Sequence, residues 1–258
     1  MSDTVQAFLD EAADLDALVA PLEEAGWSRQ TPAVGWTVGH QIAHLAWTDH
    51  VARMAAVDPD TFAAVVAEAS AAPLTFVDAQ ADVGAARPPA ELLADWREGR
   101  AALAVALRAA GPTTKLPWFG PPMSPRSMAT ARLMETWAHG QDVADALGVR
   151  RAPTDRLRDV CHLGVVTRDF AYRINGRPTP ADEFRIELTG PSGDTWSWGP
   201  PDAPGRVSGT AEDFALVVTQ RRELEDTGLV ATGEAAHWLG FAQAFAGPPK
   251  SVNRNTRA

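Results

Sequence analysis

Two side chains near the middle of the chain, Glu135 and His139, are four residues apart in a stretch with helical spacing. Four residues turn an α-helix by about 400°, so both side chains lie on one helix face. Arg132 and Asp142 share that face, and so does the apolar Met128, which indicates that the face points inward. Because buried polar groups need partners, a metal ion held jointly by the carboxylate and the imidazole is one interpretation.

An earlier helix supplies two candidates for a third ligand, His40 and His44, which are also four residues apart. Either could meet Glu135 and His139 across a helical bundle. Two histidines and one carboxylate leave a position open for water or substrate, as in catalytic zinc sites, and the same set suits iron or nickel. The plainer interpretation is a hydrogen-bonded Glu-x-x-x-His pair on a helix, which is the commoner role of such pairs.

A loop rich in proline and glycine, Leu116–Met123, precedes this helix and carries Trp118 and Phe119. Two interpretations are open. The aromatic pair either plugs the loop by packing or forms one wall of a pocket over the metal. The next residues, Ser124 and Pro125, are typical of a helix start, with an N-cap serine and a proline in the first turn.

Long stretches before residue 175 carry apolar side chains at three- and four-residue steps, and this spacing predicts helices. The predicted helices cover about 3–26, 37–57, 61–71, 89–110, 125–147 and 154–172. Residues 79–90 are rich in alanine, glycine and proline and predict a connection. Four long helices joined by loops indicate an up-down bundle.

After residue 175 the pattern changes to the alternation of β-strands. Phe184, Ile186 and Leu188 alternate with polar residues, and a turn composition follows at 190–193. Thr210 begins a further predicted helix. Residues 229–231 predict a strand, and the last predicted helix covers about 234–246.

These patterns predict an α+β protein with two domains. The first is a helical bundle over residues 1–175, and the second is a smaller α+β domain over residues 176–250. Residues 251–258 form a tail.

The composition argues against several classes of protein. The chain has 23 Lys and Arg against 33 Asp and Glu, a net charge of −10, whereas nucleic-acid binders carry basic surfaces. No apolar run approaches the roughly 18–20 residues of a membrane helix. The first residues are acidic, unlike a secretory signal, and Cys161 is the single cysteine. We therefore expect a cytoplasmic protein that binds neither nucleic acid nor membranes.

The stretch Gly35–Leu45 resembles the first ligand helix of the mycothiol-dependent maleylpyruvate isomerases. These enzymes belong to the DinB-like superfamily of metal-binding four-helix bundles. In that family a tryptophan and a short spacer precede a small-His-Leu triplet whose histidine binds the metal. Here the triplet around His44 follows Trp36, so the resemblance selects His44 over His40 as the first ligand.

Two further stretches carry the resemblance. The second family motif is an arginine, then Glu-x-x-x-His followed by an aspartate. It is matched in order by Arg132, Glu135, His139 and Asp142. Residues 207–222 are similar to a strand–helix element in the smaller domain of that family. The resemblance spans nearly the whole chain and extends to an actinobacterial subgroup that is described only as metal-binding.

The resemblance implies a bundle that holds one divalent metal ion, with zinc as the expected ion, through His44, Glu135 and His139. Mycothiol, the thiol of the characterised isomerase, is the implied cofactor. A metal-bound thiol loses its proton readily, and the resulting thiolate is a nucleophile.

The remaining site residues are assigned from the same resemblance and from the loop. We expect Trp118, Phe119 and Arg132 to border the cofactor. Asp142 is the expected hydrogen-bonding residue beside the ligands, and Arg221 the expected partner of a substrate carboxylate. For Arg221 and its neighbour at 222, a solvated helix end is the plainer interpretation.

The leading functional hypothesis is a metal- and thiol-dependent isomerase or S-transferase that acts on a small electrophilic substrate. The aromatic loop departs from the family pattern and suits a larger apolar ligand than maleylpyruvate. One alternative is a metal-dependent hydrolase that uses activated water. Another is a non-catalytic protein that binds a small ligand in the bundle. The sequence carries no signal for an oligomeric state.

Overall fold

The structure is a computed structural model, and it describes residues 3–247 and residue 249. The chain divides into two compact units, one ending at Arg150 and the other beginning at Arg151. The predicted tail, 251–258, lies outside the described residues.

The first unit is helical. Its helices are α1 (Thr4–Val19), α2 (Glu24–Trp27), α3 (Val38–Val57), α4 (Pro59–Ala71), α5 (Phe76–Ala85), α6 (Pro89–Ala109) and α7 (Pro125–Leu147). The four long helices α1, α3, α6 and α7 pack on one another as the predicted bundle. Its core includes Leu15, Ile42, Leu45, Trp96 and Val143, which come from all four helices and are fully buried or nearly so.

Helix α5 lies where the sequence predicted a connection. It packs along α3, and Gly84 makes the approach close. A Cβ atom at Gly84 would lie 2.6 Å from the Cβ atom of Ala43. The alanine and glycine residues that predicted a connection therefore allow α5 to pack closely against α3.

The second unit combines helices with a sheet. Its elements are α8 (Leu157–Val166), α9 (Arg168–Ile174), β1 (Phe184–Thr189), β2 (Thr195–Trp198), β3 (Gly205–Thr210), α10 (Ala211–Val218), a 3₁₀ turn (Leu224–Asp226), β4 (Val230–Thr232) and α11 (Glu234–Leu239). The strand order is β2-β1-β3-β4, with β1 and β3 parallel and the two outer pairs antiparallel. This confirms the α+β class, and the alternation in β1 buries Phe184, Ile186 and Leu188.

Four predicted boundaries differ from the structure. The helix predicted over 3–26 is two helices, because α1 ends at Val19 and α2 begins at Glu24. The helix predicted over 154–172 is two helices that meet at Thr167, and the last helix ends at Leu239 instead of about 246. The division at Arg150 precedes the predicted boundary near 175, because α8 packs on α10 of the second unit. Helical periodicity alone does not show with which unit a helix packs.

A buried ion pair joins three of the bundle helices. The Arg132 Nε atom on α7 donates to Asp49 Oδ1 on α3 at 2.8 Å, and the Trp96 indole on α6 donates to Asp49 Oδ2 at 3.2 Å. Asp49 is fully buried and Arg132 is 2% exposed. Burial raises the pKa of the Asp49 carboxyl even though Arg132 and Trp96 favour the charged form. The pair therefore ties α3 to α7 at a cost in desolvation.

Replacing Arg132 by methionine should lower the free energy of unfolding by about 3–5 kcal/mol, because Asp49 then stays buried without its cation. The double variant with Asp49→Asn should recover much of this loss, since asparagine is uncharged and still accepts from Trp96. Urea unfolding at pH 7 measures both effects. The difference in free energy of unfolding between the wild type and the Arg132 variant should become smaller as the pH falls, because a protonated Asp49 carboxyl needs no cation. A double variant no more stable than the single one would contradict this account.

Candidate metal centre

The helix that carries two of the candidate ligands begins and ends as the sequence predicts. The Ser124 hydroxyl accepts from the Ser127 backbone N–H, Pro125 occupies the first turn, and Gly148 ends α7 in the left-handed region at φ 69°. Glu135 and His139 lie on the face of α7 toward α3. The Arg132–Asp49 ion pair helps to hold this face of α7 toward α3.

Three side chains from α3 and α7 meet at one point. His44 Nε2 lies 3.6 Å from Glu135 Oε2, and His139 Nε2 lies 3.2 Å from the same oxygen. The two imidazole ring centroids are 4.6 Å apart. Among the described residues, this is the group of His, Cys, Asp and Glu side chains whose ligand atoms all lie within 4.8 Å of one another. We call His44, Glu135 and His139 the triad.

The carboxylate of the triad is held in its charged form. Burial opposes the charge, but hydrogen bonds from His139 and His44 lower the pKa of the Glu135 carboxyl well below its usual range. Glu135 is therefore an acceptor at neutral pH and in mild acid.

A chain of hydrogen bonds fixes the orientation of the His139 ring. The Trp36 carbonyl accepts from the Thr31 hydroxyl at 2.8 Å, and Thr31 Oγ1 accepts from the Gln41 amide nitrogen at 2.9 Å. Gln41 Oε1 then faces His139 Nδ1 and accepts a hydrogen bond from it. Gln41 thereby favours a proton on His139 Nδ1, so that Nε2, which faces Glu135, is the nitrogen available to a metal ion.

The donor set of the triad fits a divalent cation. Two imidazole nitrogens and a carboxylate oxygen converge, and a divalent ion held by the same three atoms would take the place of the protons in the hydrogen bonds between the histidines and Glu135. Two donor atoms about 2 Å from a tetrahedral ion lie about 3.3 Å apart, close to the observed 3.2 and 3.6 Å. Two imidazoles and one carboxylate are the ligand types of many catalytic zinc sites.

The Nδ1 atom of His44 differs from that of His139 in its hydrogen bonding. His44 is 8% exposed, and its buried Nδ1 has no hydrogen-bond partner among the residues that the structure describes. Its ring lies between two indoles instead, with centroids 5.4 Å from Trp36 and 6.3 Å from Trp47. Trp36 also stacks on His139 at 5.9 Å.

The other candidate ligand, His40, lies outside the triad. Its Nδ1 atom accepts from the Thr37 backbone N–H at 3.2 Å and completes the N-terminal cap of α3. Its Nε2 atom pairs with Asp82 on α5 at 3.0 Å. The structure therefore gives His40 a capping role and brings His44 to the triad.

Two further predicted site residues, Asp142 and Arg132, lie on α7 together with Glu135 and His139. Asp142 is 5% exposed, and its Oδ2 atom lies 3.9 Å from His139 Nδ1, on the side of the ring away from Glu135. Arg132 is buried in the bundle interior, where it pairs with Asp49, and its expected contact with a cofactor stays a prediction.

The loop residues Trp118 and Phe119 do not contact the triad directly. Phe119 lies 6.3 Å from Trp47, which in turn borders His44, and Trp118 stacks on Phe62 of α4 at 5.8 Å. Arg221 belongs to the second unit and follows α10, where its guanidinium donates to the Thr219 carbonyl at 2.7 Å.

Sequence reasoning missed Gln41 and Trp47 as parts of this site. Both lie on α3, three residues before and three residues after His44, so both share its helix face. A glutamine on a buried helix face was the available signal for Gln41, since it requires a partner there.

Comparisons with known proteins agree with this description. Residues 8–144 match the sequence model of the mycothiol maleylpyruvate isomerase N-terminal domain, and residues 180–232 match that of wyosine base formation. Uncharacterised proteins from two strains of Mycobacterium tuberculosis, CDC 1551 and H37Rv, are 59% identical to the chain and cover 93% of it and 93% of their own length.

Two solved structures share the fold. They are crystal structures of the mycothiol-dependent maleylpyruvate isomerase and of its histidine-to-alanine variant. Their TM-scores are 0.57 and 0.59 and their identities 15% and 14%, and in both cases the match covers 89% of this chain and 92% of the other. No single described helix is long and apolar enough to cross a membrane, although α4 and α5 together, bent by 111°, meet the length and composition test. With its N-terminal half matched by the family model, the chain belongs to the mycothiol maleylpyruvate isomerase family.

Proposed function

We propose that the triad binds one divalent metal ion and that the chain uses it with mycothiol to act on a small electrophilic substrate, as an isomerase or an S-transferase. The observation that carries the proposal is the convergence of His44 Nε2, His139 Nε2 and Glu135 Oε2 on one point. The family and the names of the solved relatives support the thiol.

The donor set favours zinc among common ions. Two neutral imidazoles and one carboxylate, with a position left open, are the ligands of many catalytic zinc sites. When bound, the metal would lower the pKa of a coordinated thiol and so supply a thiolate at neutral pH.

The residues around the triad have separate tasks in this proposal. Gln41 keeps the proton of His139 on Nδ1, so that Nε2 remains a ligand. Trp36 and Trp47 border the histidines with apolar surface, which limits water near the triad. Asp142 acts from behind His139 as a positioning residue, since its negative charge at 3.9 Å favours a proton on Nδ1.

The deciding measurement is elemental analysis of the purified protein, followed by calorimetry with mycothiol on metal-loaded and metal-stripped samples. About one zinc ion per chain with thiol binding only in the loaded sample supports the proposal. One metal ion per chain without thiol affinity would favour hydrolysis by activated water instead. Absence of both would contradict the proposal.

Replacing Glu135 by glutamine should reduce the metal content of the purified protein to a small fraction of one ion per chain, because a neutral amide is a much weaker ligand for a divalent ion. His40→Ala is the matched control, since His40 pairs with Asp82 outside the triad. It should retain the wild-type metal content. Circular dichroism checks that both variants stay helical, and a large metal loss in the control would transfer the ligand role to His40.

Replacing Gln41 by leucine should weaken metal binding by about 10- to 100-fold, because the variant no longer holds the His139 ring through Nδ1. Competition titration with a zinc chelator measures the change. Gln141→Leu on α7 is the control, since the Gln141 amide donates to Asp145 and not to the triad. Equal affinity of the two variants would show that Gln41 does not position His139.

A further inference from the structure

A row of aromatic side chains leads away from the triad. It begins at Trp47, 6.3 Å from His44, and we call it the aromatic wall. Its members are Trp47, Phe62, Phe76, Trp118 and Phe119. They come from α3, α4, α5 and the loop between α6 and α7, so four separate segments converge beside the triad.

The members touch one another in a continuous series. Trp47 contacts Phe76 at 5.5 Å and Phe119 at 6.3 Å between ring centroids. Phe62 contacts Phe119 at 5.4 Å and stacks on Trp118 with an interplanar angle of 6°. These are favourable aromatic geometries, and they fix the rings relative to one another.

The wall has a buried side and an open side. Phe62 is 1% exposed and Phe76 is 9% exposed, whereas Phe119 is 36% exposed and Trp47 and Trp118 are half-buried. The side chains packed with Phe62 and Trp118 are apolar, among them Met54. A loop that served only as a plug would bury its aromatic tip. Here Phe119, at the tip of the loop, keeps part of its apolar surface exposed, where a ligand could contact it.

The loop is built to hold these rings in place. Leu116 and Met123 exchange two backbone hydrogen bonds of 2.8 and 2.9 Å at its base. Three prolines, at 117, 121 and 122, restrict the backbone between them. Trp118 and Phe119 are therefore presented by a restrained loop, which reduces the entropy lost when a ligand binds.

We propose that the aromatic wall binds the apolar part of the substrate, so that the electrophile reacting at the triad carries an aryl group or a similarly extended apolar group. The inference rests on the proposed function, because it takes the triad as the reacting end. It assigns Trp47, Trp118 and Phe119 as specificity-determining residues. Trp47 lies between His44 and Phe119, so a planar apolar group beside Trp47 would contact the wall while its polar end lies at His44.

Two probe ligands with one metal-binding group test the inference by affinity instead of turnover. Acetohydroxamic acid and 2-naphthohydroxamic acid are titrated calorimetrically into zinc-loaded protein. The naphthyl compound should bind about 10- to 100-fold more tightly, because its ring leaves water for the aromatic wall. Phe119→Ala and Trp118→Ala should each reduce that ratio several-fold and leave the affinity for acetohydroxamic acid unchanged.

Val105→Ala on α6 is the control, since Val105 is 68% exposed and outside the wall. It should keep the wild-type ratio. Trp118→Phe provides a second variant if Trp118→Ala loses its fold, and it should keep most of the preference. Equal affinity of the two probes for the wild type, or a ratio unchanged in both loop variants, would overturn the inference. An aryl preference in a protein that binds no mycothiol would support the wall and contradict the thiol chemistry.

Discussion

Two imidazole nitrogens and a carboxylate oxygen face one another across α3 and α7 at distances of 3.2 and 3.6 Å. Hydrogen bonds to Glu135 hold the two histidines at this point, and in the proposed metal site a cation would take the place of those protons. The N-terminal caps of both helices, the buried Asp49–Arg132 pair and the Gln41 hydrogen bond all restrain the helices at that point. The contacts that stabilise the bundle therefore also hold the triad in its geometry.

The two histidines of the triad differ in their aromatic contacts. On one side Trp36 stacks on His139, and on the other side Trp47 connects His44 to the aromatic loop. Apolar surface close to a charged centre strengthens electrostatic interactions there, because it replaces water of high dielectric constant. The same surface favours apolar ligands, so in the proposed function the residues that strengthen binding at the triad also select the substrate.

The fold and the pair Glu135 and His139 could be predicted from local spacing, whereas His44 was chosen over His40 only through the family resemblance. Glu135 and His139 are one turn apart, Ser124 and Gly148 mark the ends of their helix, and the alternation in β1 matches its burial. Gln41 was missed because its role depends on Thr31 and His139, which are ten and 98 residues away. Helix α5 was missed because its small residues matter only against α3. The unit boundary was misplaced because helical periodicity does not show which neighbour a helix contacts.

The two histidines of the triad differ in the hydrogen bonding of their Nδ1 atoms. Gln41 holds the His139 ring through Nδ1, whereas the buried Nδ1 of His44 has no partner among the described residues. An imidazole whose second nitrogen is not hydrogen-bonded is more easily turned about its side-chain torsions. In the proposed metal site His44 would therefore be the more mobile of the two histidine ligands, and release of an ion would begin at α3 while Glu135 and His139 on α7 keep their positions.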